Sequence, residues 1–147
     1  MKIAFGYDHA GFAIREYIID FLMANGHQVI VFGKDSDEPV DYSDIAIETA
    51  EYVRDKNADC GILVCGTGIG MSIAANKVKG IRCALCSEPL SARLTREHNN
   101  TNMLALGERT VGIELIIATI ATWLNTDFSN NQRHINRIEK ISKYENK

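Results

Sequence analysis

Three groups of residues carry chemistry by type and spacing. The first is Cys65, which ends the apolar run CGILVC (60–65) and is followed directly by Gly66-Thr67-Gly68-Ile69-Gly70. Three glycines in five residues let a backbone approach an anion closely, and a helix opening behind them aims its free N–H groups at the same point. A thiol at that junction suits a base or nucleophile beside a cradle of amides able to hold an oxyanion. The plainer alternatives are a core cysteine that happens to end a strand and a tight strand-to-helix turn. The loop is not a P-loop, because no Gly-Lys-Ser/Thr follows, and its G-x-G-x-G spacing is not the dinucleotide fingerprint. A phosphatase-type Cys-x5-Arg loop would need Arg at 71, which is Met.

Histidines form the second group. His9 follows Asp8, and His98 precedes Asn99; such neighbours can fix an imidazole tautomer or share in proton transfer. His27 has no such company and reads as structural. The third group is Arg133 and Arg137, one helical turn apart with Lys140 following. Two guanidinium groups at that spacing can clamp a phosphate, or they are part of a solvated basic face. Cys60, Cys83 and Cys86 read as buried, inert thiols. Cys83-x-x-Cys86 looks like half a zinc site, but residues three apart on a strand point to opposite faces and cannot hold one metal.

An alternation of strand and helix must position these groups. Apolar and β-branched runs predict strands at 2–8, 27–33, 60–65, 81–87 and 103–107. Helical periodicity predicts helices over 11–25, 43–57 with Ser43 as cap, 70–77, 89–98 with Pro89 in the first turn, 112–125 and 132–145. Five β–α alternations imply an α/β fold: a three-layer, Rossmann-like sandwich with a five-stranded parallel sheet and an extended C-terminal helix. Open parallel sheets bind ligands outside the carboxyl ends of their strands. Asp8-His9, Cys65 to Gly70, Ser87-Glu88 and Gly107-Glu108-Arg109 follow strands. Together with His98 to Asn102, they are expected at that edge.

Composition narrows the class. The chain has 147 residues, 46% hydrophobic and 24% charged, one domain's worth. A formal net charge of −3 argues against a general nucleic-acid or anionic-membrane binder. Residues 132–147 hold five Lys/Arg and two Glu, a local +3 against −6 on the rest, which suggests a local task for the tail. The most apolar run, 113–124, has 12 residues and contains Glu114, short of the ~20 that span a membrane. No signal-peptide pattern opens the chain, so a cytoplasmic address with reduced cysteines is expected. Helix 112–125 is apolar nearly all round, and the last helix cannot cover all of it, which points to a subunit interface.

DHAGF near the start, CGTGIGMSIAANK, CSEP, HNNTN and GER-x-x-G, in that order, resemble the ribose-5-phosphate isomerase B family, which shares its fold with the galactose-6-phosphate isomerase subunits. The likeness runs from residue 2 to about 143. Ser43 stands where the family often has Pro. The resemblance implies a homodimer or a tetramer of paired dimers, with active sites built from two subunits. Residues 132–147 would then reach the partner. It implies isomerisation without metal or cofactor, through a cis-enediolate, in the non-oxidative branch of the pentose phosphate pathway. Cys65 matches the family's base, Thr67 a helper, and the amides of Gly66, Thr67, Gly68, Ile69 and Gly70 the anion hole. His98 matches the proton donor that opens the furanose ring, with Asp8 sharing that work. Tyr42 lines the family's pocket and Asn99 binds sugar oxygens. His9, Arg109, Arg133 and Arg137 match the phosphate-binding set. A six-carbon substrate, allose 6-phosphate or galactose 6-phosphate, is the alternative. An idle sugar-phosphate-binding scaffold is a third reading, against which the joint presence of Cys65, Thr67 and His98 speaks.

Overall fold

The computed structural model describes residues 1–147. Its strands are β1 (Lys2–Tyr7), β2 (Gln28–Phe32), β3 (Cys60–Cys65), β4 (Cys83–Leu85) and β5 (Met103–Gly107). Its helices are α1 (Arg15–Ala24), α2 (Tyr42–Arg54), α3 (Ile69–Ala75), α4 (Pro89–Asn99), α5 (Ile113–Leu124) and α6 (Gln132–Glu145). Every strand pairing is parallel, in the order β2-β1-β3-β5-β4. The chain steps outward from β1 to β2, then returns past β1 to β3. The carboxyl ends of β1 and β3 therefore form the switch point where open α/β sheets leave a crevice.

Alternation along the strands divides the core in two. Ile3, Phe5, Ile62, Val64, Leu104 and Leu106 face Ile18 and Leu22 of α1 and Ile116, Ile120 and Trp123 of α5. Ala4, Leu63, Cys65, Met103 and Ala105 face Ala46, Ala50 and Val53 of α2 and Met71, Ala74 and Ala75 of α3. Cys86 belongs to the first layer and Cys83 to the second, so the pair does point to opposite faces. The three-layer sandwich is as expected.

Three local expectations change. The first helix opens as a 3-10 turn over Gly11–Ile14, because the Asp8 carboxylate accepts the N–H groups of Ala10 and Gly11 and tightens the chain there. Ser43 does not cap α2; the cap position is Asp41, without a side-chain bond, and Ser43 lies inside the first turn. The strand expected over 81–87 shortens to three residues. The N–H groups of Arg82 and Cys83 go to the Asn102 and Asn76 side-chain oxygens rather than to a ladder. Glu88, by contrast, caps α4 by accepting from Leu90 and Ser91, with Pro89 at its start as expected.

Helix α6 forms over the predicted residues and belongs to neither core layer. Asn131 caps it by accepting from the Arg133 N–H, and His134 is its one buried residue. At its far end the Glu145 carboxylate accepts from Gly80 N–H at 2.9 Å. It leaves Leu115 and Ala118 on the outer face of α5 exposed. No helix is long and apolar enough to cross a membrane.

Candidate active site

Cys65 stands at the switch point. Its side chain is 5% exposed, and its Sγ accepts the Gly68 N–H at 3.1 Å. That bond needs the chain to turn back sharply at Gly68, whose φ is +76°. A side chain there would be strained, and its Cβ would lie 2.5 Å from Leu85 Cδ1 and 2.9 Å from the Leu106 carbonyl carbon. The Ile69 N–H turns to Thr67 Oγ1 at 3.3 Å. The N–H groups of Gly66, Thr67, Gly70 and Met71 take no acceptor within the chain. The loop thus presents several amides beside a sulfur that already accepts one, an arrangement suited to developing negative charge.

Long-range pairing brings the neighbours in. Asp8 N–H donates to Val64 O at 3.2 Å, which sets Asp8 beside Cys65 on the adjoining strand. Asp8 is buried; its Oδ1 holds the turn through Ala10 and Gly11, and its Oδ2 takes no bond from the protein. His9 Nδ1 accepts from Val40 N–H at 3.5 Å, so a neutral ring carries its proton on Nε2. Glu108 and Arg109 donate their N–H groups to Cys65 O and Gly66 O, both at 2.9 Å, tying β5 to the loop. A Cβ on Gly66 would meet Arg109 Cδ at 3.4 Å and its Nε at 3.6 Å, so the guanidinium stem lies over the loop. A Cβ on Gly70 would meet the Tyr42 ring at 2.6 Å, so that ring closes the other flank. Asp8, His9, Tyr42, Cys65 to Gly70 and Arg109 are therefore gathered at one edge.

His98 and Asn99 are not there. A helix that follows a parallel strand runs back along the sheet, and α4 ends at the opposite edge. The carbonyls of Asn99 and Asn100 accept from Arg82 Nε, just before β4, at 3.0 and 3.1 Å. The length of β3, roughly 17 Å, separates that edge from Cys65. The expectation that His98 and Asn99 lie at the edge outside the carboxyl ends of the strands is corrected accordingly. His98 instead meets α6: its ring lies against that of His134, with centroids 4.4 Å apart. Arg133 and Arg137 stand beside this pair, both exposed. Neither they nor Arg109 form an ion pair with any carboxylate of the chain.

The candidates thus fall into two separate clusters. One holds a thiol, a carboxylate and an amide cradle; the other holds an imidazole, an amide and two guanidinium groups without carboxylate partners. Between them lies exposed apolar surface. Ile69 and Ile73 of α3 are 51% and 57% exposed, and Leu85 on the edge strand is 44% exposed. An open groove of about 330 Å³ beside the loop is lined by Thr67, Ile69, Leu85 and Ser87.

Cys60, Cys83 and Cys86 are also buried. Burial pushes the thiols of Cys60 and Cys83 up to about 12 and that of Cys86 up to about 11. They are uncharged at neutral pH, in keeping with inert core thiols. Spacing alone does not single out His134. A signal existed: it is the one histidine inside the basic C-terminal segment, flanked by Arg133 and Arg137.

Comparison with known proteins identifies the family. Residues 3–141 match the family model described as Ribose/Galactose Isomerase. Ribose-5-phosphate isomerase B of Escherichia coli is 47% identical over 144 residues, covering 98% of this chain and 96% of that protein. A D-erythrulose-4-phosphate isomerase of Pectobacterium atrosepticum is 40% identical over 147 residues, covering 99% and 95%. The solved structure of Clostridium thermocellum ribose-5-phosphate isomerase B superposes with a TM-score of 0.97 at 48% identity, covering 99% of this chain and 98% of that one. The likeness takes in both clusters and nearly every residue between them: the chain belongs to the ribose/galactose isomerase family.

Proposed function

We propose that the protein interconverts ribose 5-phosphate and ribulose 5-phosphate by moving one proton between C1 and C2, in an active site completed by a second copy of the chain. The observation that carries this reading is Cys65: of four cysteines it alone ends a strand at the switch point with its sulfur accepting a loop amide. In the open-chain aldose, the Cys65 thiolate removes the C2 proton. The electron pair moves into the C1–C2 bond, and the carbonyl electrons pass to O1. The loop amides of residues 66–70 hold the resulting cis-enediolate, with Thr67 beside them. Transfer of the O2 proton to O1, with return of the carbon proton to C1 as the C2 carbonyl forms, leaves the ketose.

The substrate arrives as a furanose, so the ring must open first. His98 of a second copy donates to the ring oxygen while the Asp8 Oδ2 takes the proton of the anomeric hydroxyl. Asn99 of that copy holds sugar hydroxyls, and Tyr42 bounds the pocket. The phosphate dianion is bound by His9 and Arg109 of one chain and by Arg133 and Arg137 of the other. These arginines lack carboxylate partners and so are available to it. A distant phosphate handle of this kind supplies binding energy that orients the reacting carbons.

Two copies are needed because α4 carries His98 to the wrong edge for its own Cys65. A two-fold axis through the exposed Ile69–Ile73–Leu85 surface would bury that surface and bring the two clusters together. The outer face of α5 offers a second apolar contact, suited to pairing dimers.

The test is a rate comparison of the purified protein on ribose 5-phosphate, D-erythrulose 4-phosphate, allose 6-phosphate and galactose 6-phosphate. Ribose 5-phosphate should give the highest kcat/KM. Cys65→Ala should lose at least 10²–10⁴-fold in kcat while staying folded. Cys60→Ala, Cys83→Ala and Cys86→Ala should keep the activity. A Cys65→Ala protein with near wild-type turnover would sink the assignment, and a faster six- or four-carbon substrate would replace the ribose reading.

A further inference from the structure

His134 is held on every side although the reaction outlined above does not use it. Its Nδ1 lies 2.9 Å from Ser129 Oγ, and its Nε2 lies 3.2 Å from Arg133 Nε. A guanidinium Nε carries hydrogen and cannot accept, so the imidazole Nε2 is the acceptor. The proton of a neutral ring then sits on Nδ1 and is donated to Ser129 Oγ. Ser129 is itself anchored: its N–H donates to Glu97 O at 3.2 Å, and its Oγ accepts from Asn131 N–H at 3.3 Å. The ring of His98 closes the remaining side. His134 is thus fixed to α4 through both the loop and the stacked ring, while it grips a long, exposed side chain by the nitrogen nearest its stem.

A grip at Nε has a chemical consequence. It leaves both Nη groups of Arg133 free, and these form the outer end of the guanidinium, able to bind two phosphate oxygens at once. It also removes rotamer freedom that an unsupported arginine would lose only on binding.

We propose that neutral His134 is a positioning residue that aims Arg133 at the phosphate of the substrate. The proposal rests on the reading of Arg133 as a phosphate ligand. The groups that face His134 are His98 and Glu97 from α4, Ser129 from the loop, and Arg133 and Arg137 from α6. Burial first, then the nearness of His98 and the Arg133 guanidinium, hold its pKa below the ordinary imidazole value, against a smaller opposing effect of the Glu97 carbonyl. A protonated ring would lose its acceptor and face cationic neighbours, so the neutral form is the one that keeps the grip.

Two substitutions separate the ring's two bonds. His134→Asn can still donate to Ser129 but is too short to reach Arg133 Nε. His134→Gln can place its amide oxygen near the position of Nε2. Steady-state kinetics on ribose 5-phosphate, with the assembled protein, should show KM raised about tenfold in His134→Asn, the effect of one hydrogen bond to a charged group. Its kcat should stay within about threefold, and His134→Gln should recover most of the KM. Placed in an Arg133→Ala background, His134→Asn should add less than about twofold, because it acts through the arginine that is gone. Should His134→Asn not fold, His134→Phe, which keeps a ring against His98 and accepts no hydrogen bond, takes its place with the same expectation. Equal KM values for the Asn and Gln variants, or the same fold effect with and without Arg133, would overturn the proposal. An Arg133→Ala protein with unchanged KM would instead overturn the phosphate reading of Arg133 itself.

Discussion

Mixing two dead variants tests the two-copy site most directly. Take Cys65→Ala and Arg137→Ala, each purified alone. Within one chain, Cys65 ends β3 while the helix that leads to the His98 cluster ends at the opposite edge, roughly 17 Å away along the strand. If Arg137 serves the partner's Cys65, a mixed dimer holds one intact site and one doubly damaged site. Random exchange at equal concentrations makes half the dimers mixed, and each carries one good site of two. Activity should therefore recover to about a quarter of the wild-type value, in a dimer with independent sites. Single-variant losses set the background: Cys65→Ala loses the base. Arg137→Ala loses a charge-assisted contact of about 1.5–3 kcal/mol, or about 10–150-fold in affinity, so the assay is run well below the raised KM. Ketose formation is followed after mild dissociation and reassembly, with subunit exchange proved by mass spectrometry of differently tagged chains. Exchange without any recovery would place Arg137 and Cys65 in the same site of the same chain and refute the two-edge reasoning.

Other outcomes are as specific. His98→Asn should slow turnover of cyclic ribose 5-phosphate far more than that of open-chain ribulose 5-phosphate in the reverse direction, measured by initial rates. Equal losses would contradict a ring-opening role. Gly68→Ala should lower stability by at least about 1–2 kcal/mol from its backbone angle alone, before the contact with Leu85, and should depress activity by shifting the amide that Cys65 Sγ accepts; denaturant titration and kcat report the two. His134 makes stability depend on pH. Its folded pKa lies below the ordinary 6.5, so the unfolded chain binds the proton more readily. The contribution is fully present above pH 6.5 and is lost as pH falls from 6.5 towards the folded value. Thermal melts of wild type and His134→Gln should therefore converge on acidification; parallel curves would show that His134 is not the titrating group.

Much of this molecule is decided locally and can be read from residue order. The strand-loop-helix unit from Cys60 to Ala75 follows from an apolar run, a glycine that must turn back at Gly68 and a helix-forming stretch behind it, so the thiol-and-amide cluster is legible in those sixteen residues. The α6 boundaries follow as directly, from the amphipathic repeat that begins at Gln132. Parallel strands with helices on both faces follow from the alternation itself. What residue order leaves open is which strands become neighbours and where each helix ends in space. The order β2-β1-β3-β5-β4 is a matter of long-range packing, and it alone sets Asp8 beside Cys65 and Arg109 over Gly66. Counting motifs along the chain puts His98 with the other polar residues after strands. The direction of α4, which must run back antiparallel to β4, puts it at the opposite edge. The meeting of His98, His134 and Arg133 is likewise invisible to spacing, because it depends on how α6, which lies outside both hydrophobic layers, crosses α4. Chemistry carried by a single turn of chain is written in adjacent residues; chemistry that needs two elements, or two chains, exists only once burial has fixed how they pack.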